Sequence, residues 1–451
     1  MKDKLLSFRI VLFLILTIVF TGCTGGGGSG DDSAPETQDL PSVQVLPSDY
    51  DSGIVTLGNT PVPLEVKIQN SGSADLEVSD IVLSDTINFA LDTDGGSNPC
   101  SSTFPTISAG DTCTVEVTFS PQDEDSFVAT LEIDSNDSSN PKSNIQLSGS
   151  AEPIKSLNVG INQVESNLQC PAAEVTAYVS VTDQGGYPVT GLLENNFLVY
   201  EDIDVMNLTD FSFVSQVKEP ISVSLVMDYS DSITNIPEAQ SDMEEAVAYF
   251  VDQLRDDDDD DYDDEAEIIK YATEVKVVQE FTSDKNLLTN TIYSPVDVGS
   301  HTRLYDAAWR AVDDIALGLK PRKAVIILTD GEDDDGTGDP ISSHSLSEVI
   351  NHANDIGVPL FTVGLGNIND AVLEQMANDT GGQFFDSPTS DNLGNIYSQI
   401  AKVLFENQYI LTYVSELGTG VKANLTIEAY VSPADMGVTG DDTKEEIIPC
   451  P

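Results

Sequence analysis

The fold is decided by Ile221-Ser222-Val223-Ser224-Leu225-Val226-Met227, which is followed directly by Asp228-Tyr229-Ser230-Asp231-Ser232. The first seven residues are a short, mainly apolar run that predicts a buried strand. Side chains alternate along an extended segment, so Asp228, Ser230 and Ser232 point to the same side. One carboxylate and two hydroxyls are oxygen ligands that suit a small hard cation. The stretch therefore predicts a cation site at the carboxyl end of a strand, where open α/β sheets place their ligands.

The chain around this stretch, from 219 to about 406, alternates apolar strands with helical patterns. Further strands are predicted at Ile268–Val278, Ala324–Leu328 and Leu360–Gly364. Strands that alternate with helices are typical of an α/β fold with a doubly wound parallel sheet. We therefore expect this segment to be one α/β domain within a multidomain chain.

The helices of this segment are predicted from the spacing of their apolar residues. Pro237 can open the first helix, because proline fits the first helical position. In it, apolar residues recur at the spacing of one buried face: Met243, Val247, Phe250, Val251 and Leu254. A second amphipathic helix is predicted from Leu304 to Leu319, and a last helix near Asn392–Phe405.

Two later segments contain further oxygen ligands in the same order along the chain. Gly299–Ala307 contains Thr302, and Ile327–Glu332 contains Asp330. Together with the Asp-x-Ser-x-Ser stretch, these segments resemble the metal-ion-dependent adhesion site of von Willebrand factor type A domains. Three motifs in this order are much more specific than the short Asp-x-Ser-x-Ser pattern by itself. The resemblance implies a metal site of five residues: Asp228, Ser230, Ser232, Thr302 and Asp330.

The resemblance also implies how such a site binds its ligand. Ser230 and Ser232 would bind the ion directly, Thr302 directly or through water, and the two aspartates mainly through water. One coordination position would remain for a carboxylate from a partner protein. Uncharged hydroxyl ligands keep the ion electrophilic, and Mg²⁺ accepts such a set readily, with Mn²⁺ and Ca²⁺ as alternatives. A degenerate fold without metal is the opposing interpretation.

The segment before the α/β region, residues 42–152, contains short alternating strands separated by turn residues. This pattern predicts a β-sandwich. Phrases such as Asn70–Leu76, Gly110–Cys113 and Leu147–Gly149 resemble bacterial immunoglobulin-like domains of the choice-of-anchor D type. The resemblance implies a stalk or spacer role, because no chemical motif is visible in this segment.

Two further β-regions flank the α/β segment, at residues 155–218 and 407–451. The first resembles the strands that precede the metal-binding domain in bacterial proteins related to von Willebrand factor A. Alternating strands occur again at Tyr409–Val414 and Asn424–Tyr430. We hypothesise that the two flanks complete one sandwich with the α/β domain inserted between them.

The N-terminus has the layout of an export signal, with basic residues ahead of an apolar run that ends in Phe20-Thr21-Gly22-Cys23. These four residues resemble a bacterial lipobox, which implies a signal peptide at 1–22, a lipid on Cys23 and attachment to the membrane through that lipid only. Residues 23–41 are rich in Gly, Ser, Asp and Pro and predict a flexible tether. Thr24 implies the outer membrane and possible surface exposure; a simple secretory signal and a Gram-positive host remain alternatives.

Lipidation of Cys23 would leave four cysteines, Cys100, Cys113, Cys170 and Cys450, in an oxidising compartment. Four cysteines allow three pairings, and the sequence does not fix which one forms. Cys100 with Cys113 is a local pair, and it would leave Cys170 with Cys450 as a long-range bond between the two flanks.

The chain is strongly acidic, with 77 Asp and Glu residues, 19 Lys and Arg residues and a formal net charge of -58. This charge repels phosphates and argues against nucleic acid as a partner. The densest acidic run is Asp256–Asp261, continued by Asp263, Asp264 and Glu265. Like charges repel, so we predict a solvated loop, with calcium binding as the alternative, and the same interpretation applies to Asp333–Asp335.

The sequence points to protein binding, in adhesion or complex assembly, rather than to catalysis. Only His301, His344 and His352 are present, and no GxSxG, HExxH or phosphate-binding glycine loop occurs. His301 is interpreted as a neighbour of Thr302 in its loop. The alternatives are a non-catalytic accessory subunit of an envelope metal-handling or enzyme complex, and a purely structural stalk.

Overall fold

The computed structural model describes residues 40–57, 63–167, 172–217, 219–256, 263–331, 333–337, 339–366, 370–387, 389–390, 393–431 and 437–447. The predicted signal peptide, most of the predicted tether, Cys23, Cys170 and Cys450 lie outside these ranges. None of the helices within them is both long enough and apolar enough to cross a membrane.

The N-terminal domain is a β-sandwich. Its strands are β1 (Val43–Leu46), β2 (Asp49–Thr56), β3 (Leu64–Asn70), β4 (Leu76–Leu83), β5 (Phe89–Asp92), β6 (Thr106–Ile107), β7 (Thr112–Phe119), β8 (Ser126–Ser135) and β9 (Lys142–Glu152). They form two sheets with the orders β1-β3-β7-β5 and β2-β9-β8-β4-β6. Alternate residues of both sheets are fully buried in one core, for example Val66 and Ile68 of β3 and Leu131 and Ile133 of β8. The alternation that predicted a sandwich therefore follows from one buried face per strand.

The local disulfide predicted for this domain is confirmed. Cys100 and Cys113 are bonded, with their Cα atoms 4.9 Å apart. The bond joins the start of β7 to the segment between β5 and β6. The predicted Cys170–Cys450 bond falls outside the described residues.

The next segment is again made of strands. They are β10 (Leu157–Ser166), β11 (Ala173–Asp183), β12 (Phe197–Glu201), β13 (Asp204–Met206) and β14 (Leu208–Phe213), followed by the short helix α1 (Val214–Val217).

The central domain has a six-stranded sheet with helices around it. Its strands are β15 (Ile221–Asp228), β16 (Glu265–Tyr271), β17 (Val275–Thr282), β18 (Arg322–Thr329), β19 (Leu360–Leu365) and β20 (Phe384–Ser387). The strand order is β17-β16-β15-β18-β19-β20, and every pair is parallel except β16 with β17. The doubly wound α/β fold predicted from the sequence is thus present, with β15 at its centre.

Helices cover both faces of this sheet. They are α2 (Asp231–Thr234), α3 (Pro237–Gln253), α4 (Lys285–Ile292), α5 (Leu304–Ile315), α6 (Leu346–Ile356), α7 (Asp370–Asn378) and α8 (Leu393–Phe405). One face packs against α3 and α8, through residues such as Phe250 and Ile400. The other face packs against α5 and α6, through residues such as Ala308 and Val349.

Two predicted boundaries in this domain are wrong. The single strand expected at Ile268–Val278 is a hairpin, because the chain turns at residues 272–274 and returns as the antiparallel edge strand β17. The apolar periodicity alone does not reveal a turn between two apolar runs. Leu319 does not belong to helix α5, which ends at Ile315, and its side chain is exposed.

The chain continues after α8 with β21 (Tyr409–Ser415), β22 (Ala423–Tyr430) and β23 (Thr439–Ile447). Strand β21 lies between β11 and β14, and β22 lies between β12 and β23. Residues from both flanks, such as Val179, Leu411 and Ile427, are buried in one core. The two flanks therefore form one sandwich, and the central domain is inserted between its halves.

A buried polar network joins the central domain to this second sandwich. Arg322, at the start of β18, donates to the carbonyl oxygens of Glu219, where the chain enters the domain, and of Leu404, near its exit. It also donates to Gln408 Oε1 at 2.5 Å, and Gln408 Nε2 donates to Asn162 Oδ1 of β10 at 2.6 Å. Buried polar groups are costly unless they are paired, so this network fixes the amino-terminal edge of the sheet to the sandwich.

We predict that Glu267, buried in β16, makes the stability of the central domain depend on pH. Burial raises the pKa of this carboxyl to about 8, from an unfolded value near 4.5. The folded chain therefore holds a proton that the unfolded chain releases between these values. As the pH rises through this window, Glu267 should lower the free energy of unfolding by up to about 1.4 kcal/mol per pH unit.

Glu267→Gln should remove this contribution, because glutamine does not ionise. Denaturant unfolding of wild type and variant across the window should give similar stabilities near its acid end and a more stable variant near its alkaline end. A stability difference that does not change with pH would contradict the prediction.

Candidate metal centre

The first loop of the candidate site is organised by the carboxylate of Asp228. This residue ends β15 and is fully buried. Its Oδ1 accepts a hydrogen bond from the backbone N–H of Ser230 at 2.8 Å. Its Oδ2 accepts from Thr329 Oγ1 at 2.7 Å and from Tyr271 OH at 3.3 Å. The carboxylate thus joins the ends of three neighbouring strands and turns the chain after β15 into the loop.

Three further oxygen ligands predicted from the sequence lie in direct contact. The hydroxyl oxygens of Ser230 and Ser232 are 3.0 Å apart. Ser232 Oγ donates to Asp330 Oδ1 at 2.7 Å. Ser230 is buried, whereas Ser232 is exposed, so the cluster opens to solvent on the Ser232 side. The fold therefore brings together residues that are about a hundred positions apart in the sequence.

Thr302 lies in the loop that precedes α5, and backbone contacts hold it next to the segment that follows Asp330. It exchanges two backbone hydrogen bonds with Asp334, of 3.2 and 3.0 Å. A Cβ built on Gly331 would lie 3.7 Å from Thr302 Oγ1, so this hydroxyl faces the turn that follows Asp330. Gly299 opens the loop with a φ of +90°, a conformation that glycine adopts readily.

The surroundings of Asp228 and Asp330 disfavour the charged form of both carboxyl groups. Burial, together with the neighbouring charge of Asp330, raises the pKa of Asp228 to about 6, although hydrogen bonds from Thr329 and Ser230 act to lower it. Burial also raises the pKa of Asp330, and the hydrogen bond from Ser232 lowers it. A fully buried carboxylate and a partly buried one, both with raised pKa values, are a favourable environment for a positive ion.

The donor set and its spacing fit a small divalent cation. Two oxygen ligands at right angles around Mg²⁺, each about 2.1 Å from the ion, are about 3.0 Å apart. The Ser230–Ser232 separation equals this value, and Asp330, which would act mainly through water, is hydrogen-bonded to Ser232. Among the described residues, no cluster of three or more His, Cys, Asp or Glu side chains could hold a metal. A site here would therefore depend on its hydroxyl groups.

Some residues that shape the site were not predicted from the sequence. Tyr271 and Thr329 hold the Asp228 carboxylate, and Thr273 Oγ1 accepts from the N–H groups of Ser300 and His301 at 3.0 Å. Tyr271 and Thr329 end strands adjacent to β15, which was the one available signal for them. Their contacts depend on strand register, which the sequence does not specify.

Asp333, one of the acidic residues that were predicted to be solvated, is buried instead. Asp333 accepts hydrogen bonds from the N–H groups of Tyr305, Ile341 and Ser342, and so it anchors the loop that follows Asp330. Asp334 and Asp335 accept from nearby N–H groups of their own turn. A carboxylate can be buried where several N–H groups point at it.

The acidic run that begins at Asp256 also differs from the prediction, because part of it is buried. Asp263, Asp264 and Glu265 are buried, and Asp264 pairs with Arg255 at 2.8 Å. Residues 257–262 of this run lie outside the described residues. His301 is a loop neighbour of Thr302, and its ring lies against Gly336.

We predict that Asp228→Asn affects stability in opposite ways with and without metal. In EDTA the melting temperature should rise, because the variant removes a buried charge near Asp330, while its amide oxygen can accept from the Ser230 N–H and its NH₂ group can donate to the hydroxyl oxygens of Thr329 and Tyr271. In excess Mg²⁺ the wild type should gain stability through binding, and the variant should gain none. Scanning calorimetry at neutral pH measures both effects.

Asp355→Asn, at an exposed position of α6, is the matched control and should change neither melting temperature. A variant that Mg²⁺ stabilises as much as the wild type would refute the role of Asp228.

The comparison with known families agrees with this geometry. Residues 222–399 match the model of the von Willebrand factor type A domain. The matched range begins in β15, ends in α8 and contains the five predicted ligands. No curated protein matches the chain.

Solved structures with a similar domain differ strongly in sequence. Proximal thread matrix protein 1 from the mussel byssus, with a zinc-occupied MIDAS motif, is 19% identical with a TM-score of 0.36. The match covers 45% of this chain and 49% of that protein, so this chain spans about half its length. BatB from Bacteroides thetaiotaomicron is 16% identical, with coverages of 41% and 98% and a TM-score of 0.31. The vWF domain of the type V pili tip protein Mfa5 from Porphyromonas gingivalis is 15% identical, with coverages of 41% and 94% and a TM-score of 0.32. The family match establishes that residues 222–399 of this chain are a von Willebrand factor type A domain.

Proposed function

We propose that this chain is a lipid-anchored protein of the cell envelope that binds a partner protein through one divalent metal ion. The ligands are Asp228, Ser230, Ser232, Thr302 and Asp330. The observation that carries the proposal is the contact of Ser230, Ser232 and Asp330 beside the buried carboxylate of Asp228. When bound, the ion would supply a Lewis-acidic position for a carboxylate of the partner. Mg²⁺ fits the spacing, and Mn²⁺ and Ca²⁺ offer related chemistry.

The residues of the site differ in whether they supply negative charge or uncharged oxygen ligands. Asp228 supplies negative charge from below and cannot turn away, because three hydrogen bonds hold its carboxylate. Ser230 and Ser232 offer uncharged oxygens, which leave the positive charge of an ion only partly neutralised. Since Ser232 is exposed, a side chain of another protein can reach this face. The site is therefore suited to recognise an acidic group on a macromolecule.

The candidate metal site lies at the edge of the sheet that is far from the second sandwich, so it can face a partner protein. The site lies at the carboxyl ends of β15 and β18, whereas Arg322 attaches the amino end of β18 to the second sandwich. Strands of eight residues separate the two edges by roughly 23 Å. We infer that the sandwiches and the tether act as a stalk that carries the site away from the membrane.

We propose a binding role rather than catalysis. Of the three histidines, His344 and His352 are paired with Asp306 and Asp313 at 2.7 Å and stack on the two faces of Trp309. A non-catalytic accessory subunit of an envelope complex is the second candidate, since the same site could hold another subunit. The identity of the captured partner distinguishes adhesion from complex assembly.

We predict that capture of the partner requires both the metal and Asp228. Crosslinking on intact cells, followed by purification of the chain, should recover the partner from wild type in Mg²⁺. EDTA or Asp228→Ala should abolish recovery, while the exposed control Asp355→Ala should retain it. Equal recovery from wild type and Asp228→Ala would rule out metal-mediated binding.

Lipid attachment at Cys23 has its own test. Cys23→Ser should move the chain from the membrane fraction to the soluble fraction, and mass spectrometry of the wild-type N-terminal peptide should show an acyl modification. An unmodified Cys23 in the mature chain would contradict the anchor and leave the metal site unaffected.

A further inference from the structure

Tyr229, the second residue of the Asp-x-Ser-x-Ser stretch, is buried on the side away from the metal ligands. Its hydroxyl donates to Glu244 Oε1 of α3 at 2.8 Å and lies 3.4 Å from the carbonyl oxygen of Ile292. Gln240 Nε2 also donates to Glu244 Oε1, at 3.0 Å. The side chain between two ligand positions is therefore held at its far end by a fixed carboxylate.

The ring of Tyr229 is held by a buried ammonium group. Lys270 of β16 is fully buried, and its Nζ lies 4.6 Å from the centre of the Tyr229 ring. The same Nζ donates to the carbonyl oxygens of Ile292 at 2.6 Å and Ser294 at 2.8 Å. An ammonium has three N–H donors, so two carbonyls and one aromatic face account for its interactions.

Because of the register of β15 and β16, the contact between Lys270 and Tyr229 lies on the opposite face of the sheet from the contact between Tyr271 and Asp228. Asp228 is paired with Tyr271 and Met227 with Lys270. Successive side chains of a strand point to opposite faces, so Tyr271 supports the Asp228 carboxylate on one face and Lys270 supports Tyr229 on the other. Two consecutive residues of β16 thereby fix two consecutive residues of the metal loop.

Lys270 also reaches the chain that leads to the Thr302 loop. Ile292 ends α4, and the segment after it passes Val298, whose carbonyl accepts from Glu274 N–H at 2.7 Å, before it reaches Thr302. A buried ammonium costs free energy unless each of its donors is used. The loss of any one partner should therefore disturb the others.

We propose that Lys270 is a positioning residue of the metal site, which fixes Tyr229 and thereby the orientation of Ser230 and Ser232. The proposal rests on the proposed function, because it concerns the same metal site. It assigns no contact between Lys270 and the ion. Replacing a residue that orients metal ligands without contacting the ion typically weakens metal affinity by about 10-fold to 100-fold.

The first test is the affinity of the purified full chain for Mn²⁺, measured by electron paramagnetic resonance of the free ion. Lys270→Met keeps the length of the side chain without its charge and should weaken affinity about tenfold or more. Tyr229→Leu removes the ring and should act similarly, which provides a second variant if Lys270→Met does not fold. Tyr229→Phe keeps the ring and should have a smaller effect.

Lys444→Met is the matched control. Lys444 is a partly buried lysine of β23 whose pKa burial lowers, and its Nζ donates to the carbonyl oxygen of Thr380, beside the start of β19 and away from the strand ends that hold the metal loops. This variant should lose stability without a change in Mn²⁺ affinity. If Lys270→Met likewise loses stability but binds Mn²⁺ with wild-type affinity, Lys270 has only a structural role and the proposal is overturned.

The second test needs no metal and separates the two proposals. Hydrogen exchange in EDTA should be faster for the amides of residues 229–236 in Lys270→Met than in wild type or Lys444→Met. Unchanged exchange in this segment would overturn the positioning role. Absence of Mn²⁺ binding by the wild type would overturn the proposed function, and the exchange result would still decide whether Lys270 orders the loop.

Discussion

The interaction on which the site depends is the burial of the Asp228 carboxylate at the end of the central strand. Its oxygens accept hydrogen bonds from Ser230, Thr329 and Tyr271, so it connects three strand ends in one place. This placement is unfavourable for the charge, as the raised pKa of Asp228 indicates. The rest of the loop geometry follows from a carboxylate that can neither move nor be solvated. Such local destabilisation is common where a protein binds a charged ligand.

A second constraint acts at the opposite edge of the same sheet. The central domain is inserted into a sandwich, so the chain must enter and leave it near one point. Arg322, which is itself buried, contacts the carbonyls of Glu219 and Leu404 and the side chain of Gln408 at that point. Because strands are stiff, attachment at one edge leaves the other edge available for ligand binding.

The success of the sequence predictions varied with the range of the interactions involved. The central strand and the apolar faces of α3 and α5 were predictable, because hydrophobic periodicity reflects burial directly. The turn inside Ile268–Val278 was missed, since apolar residues on both sides hide it. The burial of Asp333 and Asp264 was also missed, because it depends on N–H groups and an arginine that come from distant parts of the chain.

By itself the sequence determined the α/β class of residues 219–406 and the β-sandwich before it, whereas the five candidate oxygen ligands came from the resemblance of three segments to a known adhesion site. The two fold-class predictions rest on residue type and short spacing, which are local. Only the tertiary structure decided that Ser232 touches Asp330, that two flanking β-regions share one core, and that Lys270 lies under Tyr229. Those contacts depend on strand order and register, which arise when the whole chain packs and which no local pattern encodes.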